Sequence, residues 1–295
     1  MRLKIEDRLF TFIVYFILLF VTVITLYPFW NILVLSINDS QDTIKGGVYL
    51  WPRVLNFSSY KQILVDREIL DAVKVTVART VIGTPLSIMV ITLLAFPLSK
   101  RELLGGKAIS LYFIFTMYFG GGLIPYYMIL KSLHLIDTFS VFIIPGLMNV
   151  FYVILVRTFI QQLPPEMEES ARIDGANDLQ TFFKLILPLT TPVLATIGLF
   201  IAIGHWNAWF DAYVFTYNPK LKTLQSVLVK ILNQYQTGSM ITSAQALANS
   251  EKRLSVSPDS LRMAATMVAT LPIILIYPFV QKYFVRGMML GAIKS

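Results

Sequence analysis

The sequence predicts an all-α polytopic membrane protein with six transmembrane helices. Hydrophobic residues make up 56% of the 295 positions and charged residues only 14%, which is more apolar surface than one water-soluble core of this size can bury. The apolar residues also form runs long enough to cross a bilayer, which takes roughly 20 residues. We therefore expect one transmembrane domain over residues 1–295. Its six spans are placed at about 9–37, 72–98, 108–130, 138–160, 185–211 and 261–283.

The first span follows a short charged segment, residues 1–8. Its apolar run is about twice the length of a signal-peptide core and no small-residue cleavage site follows, so we expect it to remain as a span. Several later spans contain proline or glycine. Neighbouring helices or water-lined cavities can satisfy the backbone groups that such residues free, so bent helices are expected there. The breaks lie at Gly83 with Pro85, Gly120–Gly122 with Pro125, Pro145 with Gly146, and Pro272 with Pro278.

Lys and Arg are denser in one set of connecting segments than in the other. The first set holds 12 in 60 residues and the second holds 10 in 90. The first set comprises 1–8, 98–107, 157–184 and 282–295. The second set comprises 38–71, 131–137 and 212–260. The positive-inside bias places the first set in the cytoplasm, which predicts a multi-pass protein of the bacterial cytoplasmic (inner) membrane with both termini inside and 212–260 as a long extracytoplasmic loop.

Composition excludes several other functions. The net charge of +8 is not gathered on a basic stripe of a soluble domain, so no nucleic-acid partner is expected. The absence of cysteine excludes disulfides and thiol catalysis, and two histidines, His134 and His205, leave almost no ligands for a metal centre. We expect His205 to be a packed interior histidine. Lys74, Arg79 and Arg262 lie near span ends, where snorkelling to the interface is the expected behaviour.

Residues 164–192 form a soluble-looking helix pair between apolar spans. Pro164-Pro165 predicts a helix start, because the first helical N–H groups need no intrahelical partner, and acidic residues fill the first turn, where the macrodipole favours them. Gly175 is placed to end this helix in the left-handed conformation. Asn177, with Gln180 three residues later, then predicts a capping box for a second helix. By spacing alone, an ordinary interfacial hairpin stays open as an alternative.

The run Glu169-Ser170-Ala171-Arg172-Ile173-Asp174-Gly175-Ala176, followed by Pro188, resembles the EAA motif of ABC-importer permeases, with Ser170 in place of the usual first alanine. The resemblance implies a cytoplasmic coupling-helix loop at 164–184 that docks on an ATPase subunit and transmits its closure. Glu169 would contact the ATPase, Gly175 would hold the turn and Asp174 would fix local hydrogen bonds. The residues it implies for coupling are Glu169, Ser170, Ala171, Asp174, Gly175, Ala176 and Pro188.

The resemblance is closest to the carbohydrate-uptake, maltose-transporter-like group and to the smaller permease of that group. Residues 121–125 (GGLIP), 163–165 (LPP) and 204–207 (GHWN) support that placement. It implies a type I importer fold, a second homologous permease, two ATPase subunits that bind ATP and Mg²⁺, and an extracytoplasmic solute-binding protein. Membrane lipid and a carbohydrate substrate are the other expected partners. This chain itself is expected to be non-catalytic and to bind no cofactor.

Aromatic residues recur at helical spacing near the outer end of the fifth span. Aromatic rings pack on the apolar faces of sugars, and amides and carboxylates bind their hydroxyls, so we expect a substrate pathway here. An aromatic belt at the membrane surface is the alternative. The residues concerned are Trp206, Asn207, Trp209, Phe210, Asp211 and Tyr213.

ATP must be hydrolysed by other subunits, because no G-x-x-x-x-G-K-[ST] motif occurs: Gly106-Lys107 is followed by Ala108, and position 101 is Arg. An ion-coupled secondary transporter and an ABC permease for a non-sugar solute remain as alternatives. Basic residues in the outer loops permit an acidic oligosaccharide such as a uronate. They are Lys220, Lys222, Lys230, Lys252 and Arg253.

Overall fold

The computed structural model describes residues 5–238 and 257–292. Every regular element in these ranges is helical, and an isolated antiparallel bridge joins Asn38 to Leu55. The chain divides into two compact units, residues 1–67 with 228–271 and residues 68–227 with 272–295. The predicted all-α class is confirmed.

The α-helices of the first half, in chain order, are α1 Ile5–Ser36, α2 Ser40–Ile44, α3 Ser58–Val65, α4 Arg67–Ser99, α5 Gly106–Tyr118, α6 Leu123–Ser132 and α7 Val150–Ile160. Those of the second half are α8 Pro165–Ile173, α9 Asp178–Thr181, α10 Leu187–Leu189, α11 Thr191–Asn207, α12 Phe210–Val214, α13 Leu224–Gly238 and α14 Pro258–Ala292. Short 3₁₀ turns lie at Phe139–Phe142, Ile144–Gly146 and Pro219–Leu221, and a π-helical segment lies at Phe182–Ile186.

Three described helices are long and apolar enough to cross a membrane, namely Asp7–Ser36, Arg67–Ser99 and Thr191–Val214. These agree with the first, second and fifth predicted spans. Two bent pairs raise the number to five if each pair is one span. A sixth span at 261–283 stays a prediction: α14 covers it but is not among the candidates found in the described residues.

The bends expected within 108–130 and 138–160 are confirmed, because each stretch consists of two helical segments that meet at a break. The α5–α6 pair bends by 117° at the glycine run, where Gly122 takes a positive φ of 85°, a conformation that costs glycine little. The second pair, Phe139–Gly146 with α7, bends by 46°. We refer to it as the 3₁₀–α7 pair. Asn149 begins α7 by accepting the backbone N–H of Phe151 at 3.0 Å.

In the first unit, the turn after α1 is organised around Asn38. Its side-chain oxygen accepts the N–H of Arg53 at 2.8 Å, and its amide nitrogen donates to Thr43 Oγ1 at 2.9 Å. Asp39 caps α2. The side-chain amide of Asn56 donates to its carboxylate and holds the pKa of Asp39 below its usual range. These bonds satisfy the buried polar atoms of an otherwise irregular segment.

In the second unit, one apolar cluster packs α4, α7, the π-helical segment and α11 against each other. Its buried members are Ile91, Ala95, Phe96, Leu98, Val153, Val156, Ile160, Phe182, Ile186, Leu194 and Ile197. A second cluster joins α4 to α6, to the first 3₁₀ turn and to α12 through Val75, Leu130, Phe142, Ala212 and Phe215. The helix pair predicted at 164–184 is therefore anchored in the core at its carboxyl end.

Asp137, which precedes the 3₁₀–α7 pair, fastens two loops of this unit together. Its carboxylate accepts the backbone N–H groups of Tyr217 and Asn218 at 2.7 and 2.8 Å, and these donors hold the pKa of Asp137 below its usual range. Its own N–H donates to Phe215 O at 2.9 Å. Asp137 thus ties the loop before α7 to the loop after α12.

Candidate functional site

The first helix of the predicted coupling loop, α8, begins at Pro165 and carries Glu166 and Glu168 in its first turn. Proline at this position sacrifices no hydrogen bond, and carboxylates there face the positive end of the helix dipole. The predicted start is confirmed.

The turn after α8 is a Schellman motif. Gly175 has a φ of +79°, its N–H donates to Arg172 O at 3.0 Å, and the N–H of Ala176 donates to Ala171 O at 2.9 Å. These two bonds satisfy carbonyls that the helix end leaves without partners. A Cβ built on Gly175 would have no neighbour within 4 Å. Glycine is therefore required here by backbone conformation and not by crowding within this chain.

The second helix starts with the predicted capping box. The Asn177 side chain accepts the N–H of Gln180 at 2.8 Å, and the Gln180 side chain accepts the N–H of Asn177 at 3.0 Å. After one α-helical turn the chain widens into the π-helical segment. This segment ends two positions before Pro188, which has no N–H to donate. Phe182 and Ile186 of this segment are both 1% exposed. The loop is thus capped on both sides of its turn and fixed to the core.

The coupling residues implied by the resemblance lie together on this segment. Ala171 and Ala176 are half-buried and the others are exposed: Glu169, Ser170, Asp174, Gly175 and Pro188. Two large apolar side chains beside them are also exposed, Ile173 at 85% and Leu179 at 65%. The segment therefore exposes both acidic groups and large apolar side chains.

The loop after α4 meets α8, a contact that the sequence analysis missed. Lys100 forms an ion pair with Glu168, and its Nζ lies 4.4 Å from the centre of the Phe96 ring. A cavity of about 660 Å³ lies between the loop and α8. Its lining includes Ser99, Lys100, Glu102, Gln161, Glu168, Glu169 and Arg172. Sequence alone gave no signal for the pair, because its members are 68 positions apart.

We expect Asn177→Ala to weaken the loop without unfolding the protein. The substitution removes one side of the capping box, which costs about 1 kcal/mol in typical helices, and it frees the N–H of Gln180. Partial loss of uptake by the assembled complex is the expected result. Asn177→Asp is the matched control, because aspartate caps as well as asparagine does; equal losses in both variants would contradict a capping role.

The second predicted site lies where α11 meets α12. The helical pattern stops at Asn207, and Ala208 is extended with φ −73° and ψ 121°. The helical spacing expected for this group is therefore interrupted between Asn207 and Asp211. Asn207 ends α11, where its Oδ1 accepts from Gln225 Nε2 at 3.4 Å, and Asp211 belongs to α12.

The predicted aromatic residues do gather around this break. The Trp209 ring lies 5.8 Å from Phe210 and 6.0 Å from Tyr213, in edge-to-face contacts. All three are exposed in this chain, whereas Trp206 is half-buried. An exposed aromatic group of this kind suits both a sugar ring and a membrane interface.

Asp211 has a partner inside the protein, Arg79 of α4, which donates Nη2 to its carboxylate. Arg79 is only 4% exposed, so the prediction that it snorkels is wrong. Its Nε donates to His205 Nδ1 at 3.2 Å, and its guanidinium carbon lies 5.1 Å from the centre of the Phe142 ring. His205 is itself buried, as expected. A buried guanidinium is tolerated here because a carboxylate compensates its charge.

Gly83, one turn after Arg79 on α4, makes room for His205. A Cβ on Gly83 would lie 2.6 Å from His205 Nε2, closer than side-chain atoms pack. Glycine therefore allows α11 to approach α4 closely enough for His205 to reach Arg79. The arrangement joins α4 to both α11 and α12.

Long apolar helices, broken spans and an exposed helix pair capped on both sides of its turn define a polytopic membrane transport protein. The chain belongs to the family described as binding-protein-dependent transport system inner membrane component, which matches residues 6–290. The predicted resemblance to ABC-importer permeases is confirmed, and the chain is the permease subunit of such an importer.

The names of similar proteins agree with this family assignment. The polygalacturonan/rhamnogalacturonan transport system permease protein YtcP of Bacillus subtilis (strain 168) is 35% identical over 293 residues, which cover 98% of this chain and 100% of that protein. Among solved structures, one chain of a bacterial ABC transporter involved in the import of the acidic polysaccharide alginate superposes with a TM-score of 0.85 at 32% identity, covering 96% of this chain and 99% of that one.

A second solved structure shares the fold alone. It is a chain of a bacterial alginate ABC transporter in complex with an alginate pentasaccharide-bound periplasmic protein, with a TM-score of 0.57, 13% identity and 93% of both chains covered.

Proposed function

We propose that this chain forms part of the transmembrane pathway of an importer for acidic oligosaccharides and is driven through residues 164–184 by separate ATPase subunits. The observation that carries the coupling role is the exposed turn at Gly175, held by a Schellman motif on one side and a capping box on the other. A loop that only connects two spans needs no such rigidity, whereas a loop that transmits force does.

The exposed surface of the loop indicates what the ATPase groove offers. Glu166, Glu169, Asp174 and Asp178 are exposed, whereas Glu168 is paired with Lys100. We therefore expect basic side chains around the groove and an apolar pocket for the exposed Ile173 and Leu179, because charged and apolar patches at interfaces meet their complements.

The full assembly we propose contains this chain, a second homologous permease, two ATPase subunits that hold ATP and Mg²⁺, and an extracytoplasmic solute-binding protein. The family description, which names binding-protein-dependent transport, supports the last of these. This chain would contribute six spans of one transmembrane domain, with both termini in the cytoplasm and the extracytoplasmic loop at 212–260. ATP hydrolysis would take place in the partner subunits alone.

An acidic carbohydrate is the substrate class best supported. One relative belongs to a polygalacturonan/rhamnogalacturonan system, and a structural relative imports an acidic polysaccharide. In the outer loop, Lys220 and Lys230 add positive charge, which favours anionic ligands; Lys252 and Arg253 lie outside the described residues. The test compares uptake of an oligogalacturonide with uptake of its neutral methyl ester by the assembled complex. Faster uptake of the acidic form is the expected result.

The sidedness of Asn177 tests the coupling role. Because the chain contains no cysteine, Asn177→Cys introduces a single thiol. A membrane-impermeant maleimide should label it in inside-out vesicles and not in intact cells. The ATPase should co-purify with the wild-type chain in detergent. The proposal would be contradicted if the thiol is labelled from outside the cell, or if the chain purifies without any ATPase.

Trp209→Leu tests the sugar role of the aromatic group. Loss of a stacking ring should lower uptake at limiting substrate roughly threefold to tenfold, since aromatic contacts contribute about 0.5–1.5 kcal/mol beyond their area. Trp209→Phe keeps a ring and should retain most of the uptake. If the residue belongs to an interfacial belt, the two variants should behave alike, because neither carries the indole N–H that places tryptophan at the interface.

A further inference from the structure

Lys100 connects two parts of the second unit that the chain itself joins only distantly. Its ammonium pairs with Glu168 of α8 and lies 4.4 Å from the Phe96 ring centre. The Phe96 ring in turn lies 5.5 Å from that of Phe182, at the start of the π-helical segment. We call these four residues the Lys100 clamp. Through it, both helices of the coupling loop are fastened to the cytoplasmic end of α4.

The Lys100–Glu168 pair is better sheltered than the exposed Lys74–Asp71 pair of α4. Its side chains are 22% and 24% exposed, whereas those of Lys74 and Asp71 on α4 are 76% and 40% exposed. Water and salt therefore weaken the Lys100 pair less. The nearby Arg172 and Glu102 are 4.0 Å apart, and their side chains are more exposed, at 52% and 85%. Their ion pair therefore connects the loop to α8 more weakly.

The buried Arg79 lies in the amino-terminal half of the same helix, α4. This helix is continuous from Arg67 to Ser99, and the 21 positions from Arg79 to Lys100 correspond to about 30 Å of helix at 1.5 Å per residue. If α8 and α4 move together, a displacement of α8 would therefore also displace the Arg79–Asp211 pair and the helix break before α12.

We propose that Lys100 is the positioning residue that makes α8 and α4 move as one body. The proposal rests on the coupling role assigned above to residues 164–184. Lys100 itself touches neither substrate nor nucleotide in this assignment. It converts a push on the coupling loop into a movement of the second span, and with it of the Arg79–Asp211 pair beside the aromatic group.

Single substitutions test whether the clamp transmits movement. Lys100→Met keeps the stem over Phe96 and removes the charge. We expect the ATPase still to co-purify, while uptake per ATP hydrolysed falls by roughly tenfold, within the usual range of a coupling free energy between sites. Lys100→Arg, which can still pair with Glu168, should retain most of the coupling. Lys74→Met removes an exposed lysine from the same helix and should leave the ratio unchanged.

A reversible covalent link gives the decisive test. The chain has no cysteine, so Lys100→Cys combined with Glu168→Cys can be bridged by a short bifunctional methanethiosulfonate reagent and released by reductant. We expect the unbridged double variant to be uncoupled like Lys100→Met, and the bridge to restore uptake. A bridge that blocks uptake, or fails to restore it, shows that α8 must move relative to α4 and overturns the proposal.

These outcomes are separable from failure of the proposed function. If residue 177 proves extracellular, or the wild-type chain carries no ATPase, the coupling role itself is wrong. If both of those tests succeed and Lys100→Met remains fully coupled, the clamp alone is refuted.

Discussion

Gly175→Asp is expected to leave the protein in the membrane and to abolish uptake. Apart from its chain neighbours, nothing lies within 4 Å of a Cβ at this position, so beyond the strain of the positive φ the new side chain acts on what docks there. The added carboxylate would sit beside Asp174 on a surface that is already acidic. Misplaced charge at an interface costs several kcal/mol, and loss of about 3 kcal/mol corresponds to roughly a hundredfold weaker association.

The measurement is retention of the ATPase during purification, together with substrate-stimulated ATP turnover in proteoliposomes. Gly175→Asn is the matched control, because asparagine has the same size and tolerates positive φ but adds no charge. We expect it to keep part of the activity. Normal stimulated turnover in Gly175→Asp would refute the assignment of the loop to the ATPase contact.

Asp211→Asn is expected to destabilise the protein more than Arg79→Met does. Removing the carboxylate leaves a guanidinium that is 4% exposed without a counter-charge, and breaking a buried pair in this way costs roughly 3–5 kcal/mol. Removing Arg79 instead eliminates the buried charge. It leaves a carboxylate whose side chain is 33% exposed and can be partly hydrated, so a smaller loss of about 1–3 kcal/mol is expected.

Thermal unfolding of the purified variants in detergent measures the order of their stabilities. The double variant with Arg79→Met and Asp211→Asn should be more stable than Asp211→Asn alone. Lys74→Met serves as the control, since an exposed ion pair contributes only about 0–1 kcal/mol. An Asp211→Asn protein as stable as the Arg79→Met protein would mean that the guanidinium does not depend on this carboxylate.

The features predicted correctly from sequence are those that neighbouring residues determine. The acidic first turn of α8, the glycine at 175 and the box formed by Asn177 and Gln180 each depend on groups within four or five positions. Apolar run length similarly predicted the spans that the structure has as single long helices. Such signals can be recognised without knowing the fold.

The missed features depend on distant partners. Arg79 and Asp211 are 132 positions apart, and a lone arginine near a span end is typical of snorkelling until its carboxylate is known. The helix break at Ala208 has no proline or glycine within three positions on either side that would predict it. At Gly120–Gly122 glycine predicted a bend, but a glycine run permits many angles and does not specify the observed 117°.

Two contacts described above constrain how many times the chain crosses the bilayer. Asp137 binds the backbone of Tyr217, so both lie on the same side and the chain between them must cross an even number of times. That stretch contains the 3₁₀–α7 pair and Thr191–Val214. If Thr191–Val214 crosses, the 3₁₀–α7 pair must cross as well.

The ion pair between Lys100 and Glu168 places these two residues on the same side of the bilayer. The chain between them, which contains the α5–α6 pair and the 3₁₀–α7 pair, must therefore also cross an even number of times. If the 3₁₀–α7 pair crosses, the α5–α6 pair must cross as well and is then a broken span with a bend of 117°. On that condition, and with Asp7–Ser36 and Arg67–Ser99 crossing too, the helices up to Val214 would make five passages through the bilayer. A sixth passage through α14 would return the chain to the side on which α1 begins.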